Sequence, residues 1–439
     1  MEVPDRRGCM RVLLAICLIG IFSSCVLSDD IQDDGLAAAA TTTTCSNYKT
    51  LFLYVHDGAF DGTDTLNAGT NSNIWAMYTD GTGGKVITQH DTASVGGPAL
   101  SETGQIIYYS DKKLDGTDTV LANGNMNVWT TTYAAPTAAH TNLTSYTAAG
   151  AYGRSEHIDA AGKYIAVRST GKLDGTDATN TSAIKNIWIM NSNGSNYLPL
   201  TNYNAKGANI QSFFNSAGSE IVYRSKNTAD LLDASTIQWN IWTVNVDGSS
   251  QSALMSNSTA SSSQAHFFIT GTKILYHSAG AFDSSDANNA GAKLNIWRMD
   301  RDGSNRAPLT NLIVAYANQG RYSIDGTKIY FISDMALDGS DASIGVENIW
   351  SMNTDGSSKT PLTSLTNASA AEMHPTASGK ILFNSDMALD GSNTQNTNAA
   401  KNVWVMNTDG TGLTRLTSYT VAAINLKVWW KIGHTICAD

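Results

Sequence analysis

The stretch Asn348-Ile-Trp-Ser-Met-Asn-Thr-Asp-Gly-Ser357 decides the fold, because its opening residues recur along the chain. Each copy consists of Asn, then Ile or Val, then Trp, and there are seven copies. Their tryptophans are Trp75, Trp129, Trp188, Trp242, Trp297, Trp350 and Trp404. Successive copies lie 53 to 59 residues apart, and a fixed period of this size indicates a propeller, a solenoid or another repeat array.

The residues around each unit have the character of strands. Lys328–Asp334 and Glu347–Asn353 are short, rich in β-branched and aromatic residues, and bounded by turn residues. The Asp-Gly pair at 355–356 predicts a tight hairpin to a further strand, Lys359–Thr363, and a weaker strand, Ala317–Ile324, comes before them. Four antiparallel strands in each of seven repeats predict an all-β, seven-bladed propeller.

The two ends of the repeat array predict how the ring closes. The first repeat begins with its second strand, Lys49–Val55, and the surplus segment Ala423–Ile432 supplies the missing first strand of that blade. Cys45 and Cys437 lie just beyond the paired ends of these two strands. We therefore predict a disulfide that locks the closure and contributes about 4–5 kcal/mol in the simple loop-entropy model.

Residues 1–25 are typical of an export signal. Arg11 precedes the apolar run Val12–Phe22, which is too short to span a bilayer, and Ser-Ser-Cys25 follows. A Cys at the cleavage point indicates a lipobox, in which Cys25 carries the lipid. An ordinary cleaved signal without lipid is the alternative, and Met10 is an alternative start.

Residues 26–46 are rich in Asp, Ala and Thr and are predicted to be a disordered tether. It would join the lipid anchor to a propeller domain that comprises residues 47–439. The sequence thus predicts an exported protein of the bacterial cell envelope, which reaches the membrane only through its lipid.

The composition narrows the class of partner. Charged residues make up 15% of the chain, well below the roughly 25% of ordinary soluble domains, and the net charge is −10. Since no cluster of Lys and Arg stands out, the sequence excludes a nucleic-acid partner.

The chain resembles the TolB-type, WD40-like repeat family over roughly residues 48–432. The segments that carry the resemblance are Ser333-Asp334, Asn348–Ser357 and Pro361-Leu-Thr363. The resemblance implies a propeller fold, which hosts binding proteins and enzymes alike. The primary hypothesis is a non-catalytic envelope lipoprotein, expected to be a monomer, that binds a protein or a glycan.

The loop between the second and third strands of each blade is expanded and acidic. Two of the copies contain the carboxylates of Asp111, Asp115 and Asp118, and of Asp334, Asp338 and Asp341. Three carboxylates around a Gly turn predict a Ca²⁺ site with oxygen ligands, although the spacing differs from that of an EF-hand. The alternative is an Asp-capped turn, in which each carboxylate accepts hydrogen bonds from backbone N–H groups.

The innermost strands supply a second candidate site. Histidines fall at matching positions of blades three, five and seven, and polar residues stand close to them: His157, His266 and His374, with Gln264, Gln319 and Glu372. Since residues two apart on a strand share a face, we expect this set to converge in the channel. Imidazoles with an amide or a carboxylate suit a transition metal.

This channel set supports the rival hypothesis of a metal-dependent enzyme. It resembles the oligogalacturonate lyases, which are also seven-bladed propellers and hold a metal with channel His and Gln residues. The full lyase motif is not matched here.

Overall fold

The computed structural model describes most of the chain from Tyr48 to Cys437. The ranges are 48–59, 65–67, 69, 71–136, 140–172, 174–180, 183–203, 212–227, 235–257, 259–268, 270–285, 287–421, 427–428 and 434–437. The predicted export signal with Cys25, the tether and Cys45 lie outside these residues. Within the described ranges, no helix is long and apolar enough to cross a membrane.

The strands form seven antiparallel sheets. Blade one has β1 (Tyr48–His56), β2 (Asn73–Tyr78) and β3 (Lys85–Val86); blade two has β4 (Val95–Leu100), β5 (Gln105–Ser110), β6 (Asn127–Thr132) and β7 (Thr141–Asn142); blade three has β8 (Gly153–Ile158), β9 (Tyr164–Ser169), β10 (Asn186–Asn191) and β11 (Leu198–Pro199). Blade four has β12 (Phe213–Phe214), β13 (Glu220–Asn227), β14 (Ser235–Asn245) and β15 (Ser252–Ala253); blade five has β16 (Ser262–Phe267), β17 (Lys273–Ser278), β18 (Asn295–Asp300) and β19 (Ala307–Pro308). Blade six has β20 (Ala317–Tyr322), β21 (Lys328–Met335), β22 (Ser343–Asn353) and β23 (Thr360–Pro361); blade seven has β24 (Ala370–Pro375), β25 (Lys380–Ser385), β26 (Asn402–Asn407) and β27 (Thr414–Arg415). The C-terminal strands are β28 (Lys427–Val428) and β29 (His434–Cys437), and a 3-10 turn spans Thr397–Ala399.

This arrangement confirms the predicted all-β, seven-bladed propeller. In each blade the strands are paired in chain order, and the first strands of neighbouring blades, such as β8 and β12 or β20 and β24, approach one another. The first strands therefore surround the channel, and the two-residue fourth strands form the rim.

The ring closes through the C-terminal strands, as predicted. Of the predicted strand Ala423–Ile432 the structure describes Lys427 and Val428, which form β28 and pair with β1 opposite Val55 and Tyr54, and the rest of that range lies outside the described residues. A further strand, β29, pairs with β1 opposite residues 48–51. The nine-residue β1 is longer than the partner that β28 offers, so its first half pairs with β29. The backbone of Cys437 lies opposite Tyr48, and since Cys45 is outside the described residues, the disulfide stays a prediction.

The hydrophobic core lies between the blades. Each of seven clusters of buried residues in the described ranges draws its members from two adjacent blades; one joins Phe52 and Tyr54 of blade one to Leu382 and Val403 of blade seven. Six of the seven repeated tryptophans are no more than 2% exposed, and only Trp75 is half-buried. The Trp repeat is therefore the contact by which each blade packs on its neighbours.

The repeated Asn before each Trp fastens the fourth strand to the third. Asn348 is fully buried; its Nδ2 donates to Leu365 O at 3.0 Å, and its Oδ1 accepts from Leu365 N at 2.8 Å and Thr363 Oγ1 at 2.9 Å. Equivalent bonds to the backbone after the fourth strand are made by Asn73, Asn127, Asn186, Asn240, Asn295 and Asn402. Each repeated Asn thus hydrogen-bonds the loop that follows the fourth strand of its own blade.

The same contacts explain why the fourth strand is shorter than the predicted Lys359–Thr363. Ile349 N donates to the side-chain oxygen of Thr363 at 2.9 Å. A hydroxyl thus takes the place of the next ladder carbonyl, and the regular pairing ends at Pro361.

Candidate functional site

Six blades place one residue each at the same register of the first strand. In each case it lies opposite the second apolar residue of the second strand. In blade order these residues are Ala99, His157, Phe213, His266, Arg321 and His374. The fold therefore brings the three predicted histidines to equivalent positions around the channel, together with an arginine and a phenylalanine that the sequence analysis missed.

Five of these side chains, all but that of Ala99, line one cavity of about 220 Å³, which we call the channel cavity. It lies near the ends of the first strands, where each turns into the second strand. The acidic loops join second strands to third strands and are therefore at the opposite face of the ring. The two candidate sites from the sequence are thus at opposite ends of the molecule.

Phe213 lines the channel cavity and packs against other residues of its lining. Its ring centroid lies 3.7 Å from that of His266 and 5.2 Å from that of His157, and Arg321 Cζ lies 6.0 Å from it. These partners belong to blades five, three and six, whereas Phe213 belongs to blade four. A ring that reaches residues of three other blades extends from its own blade into the channel.

The charge of the cavity is concentrated on Arg321. This side chain is 8% exposed, and burial lowers its pKa only to about 9, so it remains protonated at neutral pH. Burial, followed by the positive charge of Arg321, holds the pKa of His266 well below its usual value. At neutral pH the cavity therefore contains a guanidinium and a neutral His266.

The predicted amide and carboxylate partners of the histidines do not line this cavity. Gln264, Gln319 and Glu372 have positive φ angles of 51°, 52° and 52° and lie at register shifts in their strands. A β-bulge adds one residue to the strand, so the two-residue alternation from which convergence was predicted is broken there. Glu372 instead accepts a hydrogen bond from Asn384 Nδ2 at 2.7 Å.

The sequence does contain a signal for Arg321, which is its position two residues after the bulge residue. Gln319-Gly-Arg321 aligns with Gln264-Ala-His266 and with Glu372-Met-His374 once the bulge residue is taken as the reference. The same sequence signal marks Phe213, since Gln211-Ser-Phe213 repeats the spacing of Gln264-Ala-His266 and Gln319-Gly-Arg321.

In the acidic loops of blades two, three and six, the last carboxylate caps the connection that enters its own blade. Asp118 accepts hydrogen bonds from the backbone N–H groups of Asp91, Thr92 and Ala93, and Asp341 does the same for Ile313, Val314 and Ala315. In blade seven Asn393 takes this position and bonds Thr366 and Asn367. An amide cannot replace a carboxylate as a strong Ca²⁺ ligand, but it can cap a turn.

The other carboxylates of these loops are also bonded to backbone. Asp111 and Asp334 accept from Ser94 N at 2.7 Å and Tyr316 N at 2.8 Å. Asp115 and Asp338 each accept from the N–H two residues on. These are the contacts of the Asp-capped turn, and within the described ranges no three or more His, Cys, Asp or Glu side chains are grouped to hold a metal ion. Ca²⁺ binding stays a prediction.

Comparison with known proteins shows that this chain is similar in fold to several solved structures. No family model matches the sequence, and no curated protein matches it. Among solved structures, a prolyl endopeptidase is similar with a TM-score of 0.55 at 8% identity, over 87% of this chain and 49% of that chain. TolB from Acinetobacter baumannii has a TM-score of 0.45 at 14% identity over 88% and 65% of the two chains, and the oligogalacturonate lyase from Vibrio parahaemolyticus has 0.48 at 10% over 85% and 86%. At these identities the endopeptidase likeness supports the propeller fold alone.

Proposed function

We propose that the protein is a non-catalytic, exported scaffold of the bacterial cell envelope, which binds a segment of a partner protein in the channel cavity. The observation that carries this proposal is the lining of the cavity. Among the described residues that line it there are aromatic rings, imidazoles and one guanidinium, but no carboxylate. Such a lining can hold a ligand by burial and by hydrogen bonds, yet it offers no carboxylate base or acid.

The same lining argues against the rival metal-dependent lyase. Arg321 stands at the register of the histidines, and its positive charge disfavours a cation beside them. The amides that a lyase-like site needs, Gln264 and Gln319, are bulge residues outside the cavity lining. His157, His266 and His374 line the same cavity, but within the described residues no three such side chains are grouped to hold a metal ion, and the lining fits an anionic ligand better.

Size favours a protein segment over the glycan that the sequence left open. A volume of about 220 Å³ is below the roughly 300 Å³ at which pockets begin to enclose drug-sized ligands. One residue of a polypeptide fits this volume, whereas an oligosaccharide needs an open cleft for several rings.

The envelope location, the lipid on Cys25, the monomeric state and the Cys45–Cys437 disulfide belong to the same proposal and are supported by the sequence features alone. Mass spectrometry of the protein purified from membranes tests them: we expect a lipid-modified Cys25 at the mature N-terminus and no free thiol. An unmodified N-terminus after residue 25 would contradict the anchor.

Site-specific photo-crosslinking in the cells of origin tests the binding site. A photoreactive phenylalanine analogue in place of Phe268, which lines the cavity, is expected to give one adduct that maps to a defined peptide of one partner protein. Phe282 is the matched control, since it is also half-buried but lies in an acidic loop at the other face. Equal adducts from both positions would contradict the proposal.

Metal analysis of the same purified protein separates the scaffold from the enzyme. We expect less than a tenth of an equivalent of Mn²⁺ or Zn²⁺ per chain. A stoichiometric metal that is lost in the His266→Ala, His374→Ala variant would overturn the scaffold in favour of the lyase, and several equivalents of Ca²⁺ would support the acidic-loop sites.

A further inference from the structure

We propose that the channel cavity receives the C-terminal residue of the partner, with its apolar side chain against the aromatic wall and its α-carboxylate on Arg321. This inference rests on the proposed function and names the part of the partner that is recognised. It is carried by four features of the cavity: its charge, its wall, the ring of Phe213 in the channel and its unpaired donors.

The charge selects a carboxylate terminus. Arg321 is buried and can only donate hydrogen bonds, and its planar N–H fork matches the geometry of a carboxylate. No carboxylate is found among the described residues of the cavity lining, so nothing there favours an ammonium group. A peptide N-terminus would meet the guanidinium with a like charge, whereas a C-terminus would meet an opposite one.

The wall selects an apolar side chain. Phe214, Phe267, Phe268 and Tyr322 all line the cavity, and the rings of Phe268 and Tyr322 meet edge to face with centroids 4.6 Å apart. Aromatic walls of this kind bury rings and branched aliphatic groups favourably. The cavity thus places a cation next to an apolar wall, as a C-terminal aromatic or aliphatic residue requires.

The ring of Phe213 in the channel favours a chain end. It contacts His157, His266 and Arg321 from three other blades and so occupies part of the passage. A segment that continues past this ring, or turns back beside it, needs more room than a chain end does. A terminus is therefore the segment that fits the cavity best.

Two polar atoms of the cavity residues await an acceptor. Within the described part of the chain, His266 Nε2 and Tyr322 Oη are buried and have no hydrogen-bond partner. Buried polar atoms in proteins are nearly always paired, so these two are best explained by a ligand or by water. An oxygen of an α-carboxylate beside Arg321 would accept a hydrogen bond from His266 Nε2 in the tautomer that protonates this nitrogen, and Arg321 is close enough to lower the pKa of His266.

Calorimetric titration with two defined peptides tests the inference on the full propeller. The probes are N-acetyl-Ala-Ala-Phe as the free acid and the same peptide as its C-terminal amide. We expect the acid to bind at least tenfold more tightly than the amide at neutral pH. In the Arg321→Met variant this preference should fall to within twofold, and Arg321→Lys should restore part of it.

Arg154→Met is the matched control. Arg154 also belongs to a first strand, but it lies at the end near the acidic loops, over the rings of Tyr109 and Tyr152. This variant should keep the preference for the acid, and circular dichroism should show all three variants folded. Loss of the preference in Arg154→Met, or its retention in Arg321→Met, would overturn the assignment to Arg321.

The outcomes separate the inference from the proposed function. Equal binding of acid and amide, or no binding of either while Phe268 crosslinks to an internal peptide of a partner, overturns C-terminal recognition and leaves the scaffold intact. A uronic-acid disaccharide that displaces the free acid at lower concentration than the peptide itself would overturn the peptide ligand in favour of an acidic glycan.

Discussion

Replacement of Asn348 by alanine is expected to lower the free energy of unfolding by about 3 kcal/mol, because it leaves several buried polar groups without a hydrogen-bond partner. The variant leaves Leu365 N, Leu365 O and Thr363 Oγ1 without the side chain that pairs them. None of these groups can turn to water without separating the third and fourth strands. Urea unfolding followed by circular dichroism measures the loss as a lower midpoint.

Asn353→Ala is the matched control for this prediction. Asn353 ends the same strand, β22, but its Nδ2 donates to Ser357 Oγ in an exposed turn. Since water can replace that partner, we expect a change within about 0.5 kcal/mol. Equal losses in the two variants would show that the buried Asn clamp has no special role.

Acidification from pH 7.5 to pH 5 is expected to destabilise the propeller strongly, because two buried histidines must remain neutral in the folded state. Burial lowers the pKa of His56 to about 3; burial, then the charges of Arg224 and Arg321, lower the pKa of His277 to about 3. Both pKa values are below the unfolded value of 6.5. The unfolded chain therefore binds more protons in this range, and stability is complete above pH 6.5 and is lost progressively as the pH falls towards 3.

The size of this effect follows from the pKa shifts. At pH 5, 1.5 units below the unfolded pKa, each histidine costs about 2 kcal/mol. The two together cost about 4 kcal/mol, which is a large part of the stability of an ordinary domain. Urea midpoints at pH 7.5, 6 and 5 measure the slope.

A double variant separates the contribution of these two histidines to the acid lability from that of the carboxylates. His56 Nδ1 accepts from Gly58 N at 2.8 Å, and His277 Nε2 lies 2.5 Å from Ser263 Oγ, so His56→Asn and His277→Gln keep the bonding atoms near their places. Between pH 7.5 and pH 5 this variant should lose about 4 kcal/mol less stability than the unchanged protein, and a smaller slope should remain because burial also lowers the pKa of His266 and of His90. A slope as steep as that of the unchanged protein would assign the acid lability to other groups.

Much of the fold was predictable because it depends on residues that lie close together in the sequence. The third strand and the hairpin after it need only an apolar, β-branched run and an Asp-Gly pair, and Gly356 has the positive φ of 87° that such a turn requires. The repeat count and the missing first strand of blade one predicted the closure. The second closing strand, β29, was not predicted, because it pairs with the part of β1 that precedes the residues opposite β28.

The candidate site was predictable only in part. His157, His266 and His374 were found because they recur at a constant distance from the Gly turns between first and second strands. Their expected amide and carboxylate partners do not line the cavity, because alternation along a strand assumes that every residue is paired, and a bulge intervenes at each of these positions. Phe213 and Arg321 were missed because only histidines were compared between blades at this position.

The sequence by itself determined the number of blades, the strands that carry the Asn-Ile-Trp unit and the closure by the chain ends, since these follow from periodicity and turn chemistry within about fifty residues. Only the tertiary structure decided which side chains meet in the channel and that the acidic loops cap the connections between blades. The reason is that each Asn-Ile-Trp repeat contains the whole local pattern within its own residues. The channel, in contrast, exists only when the first strands of distant repeats are brought together around one axis.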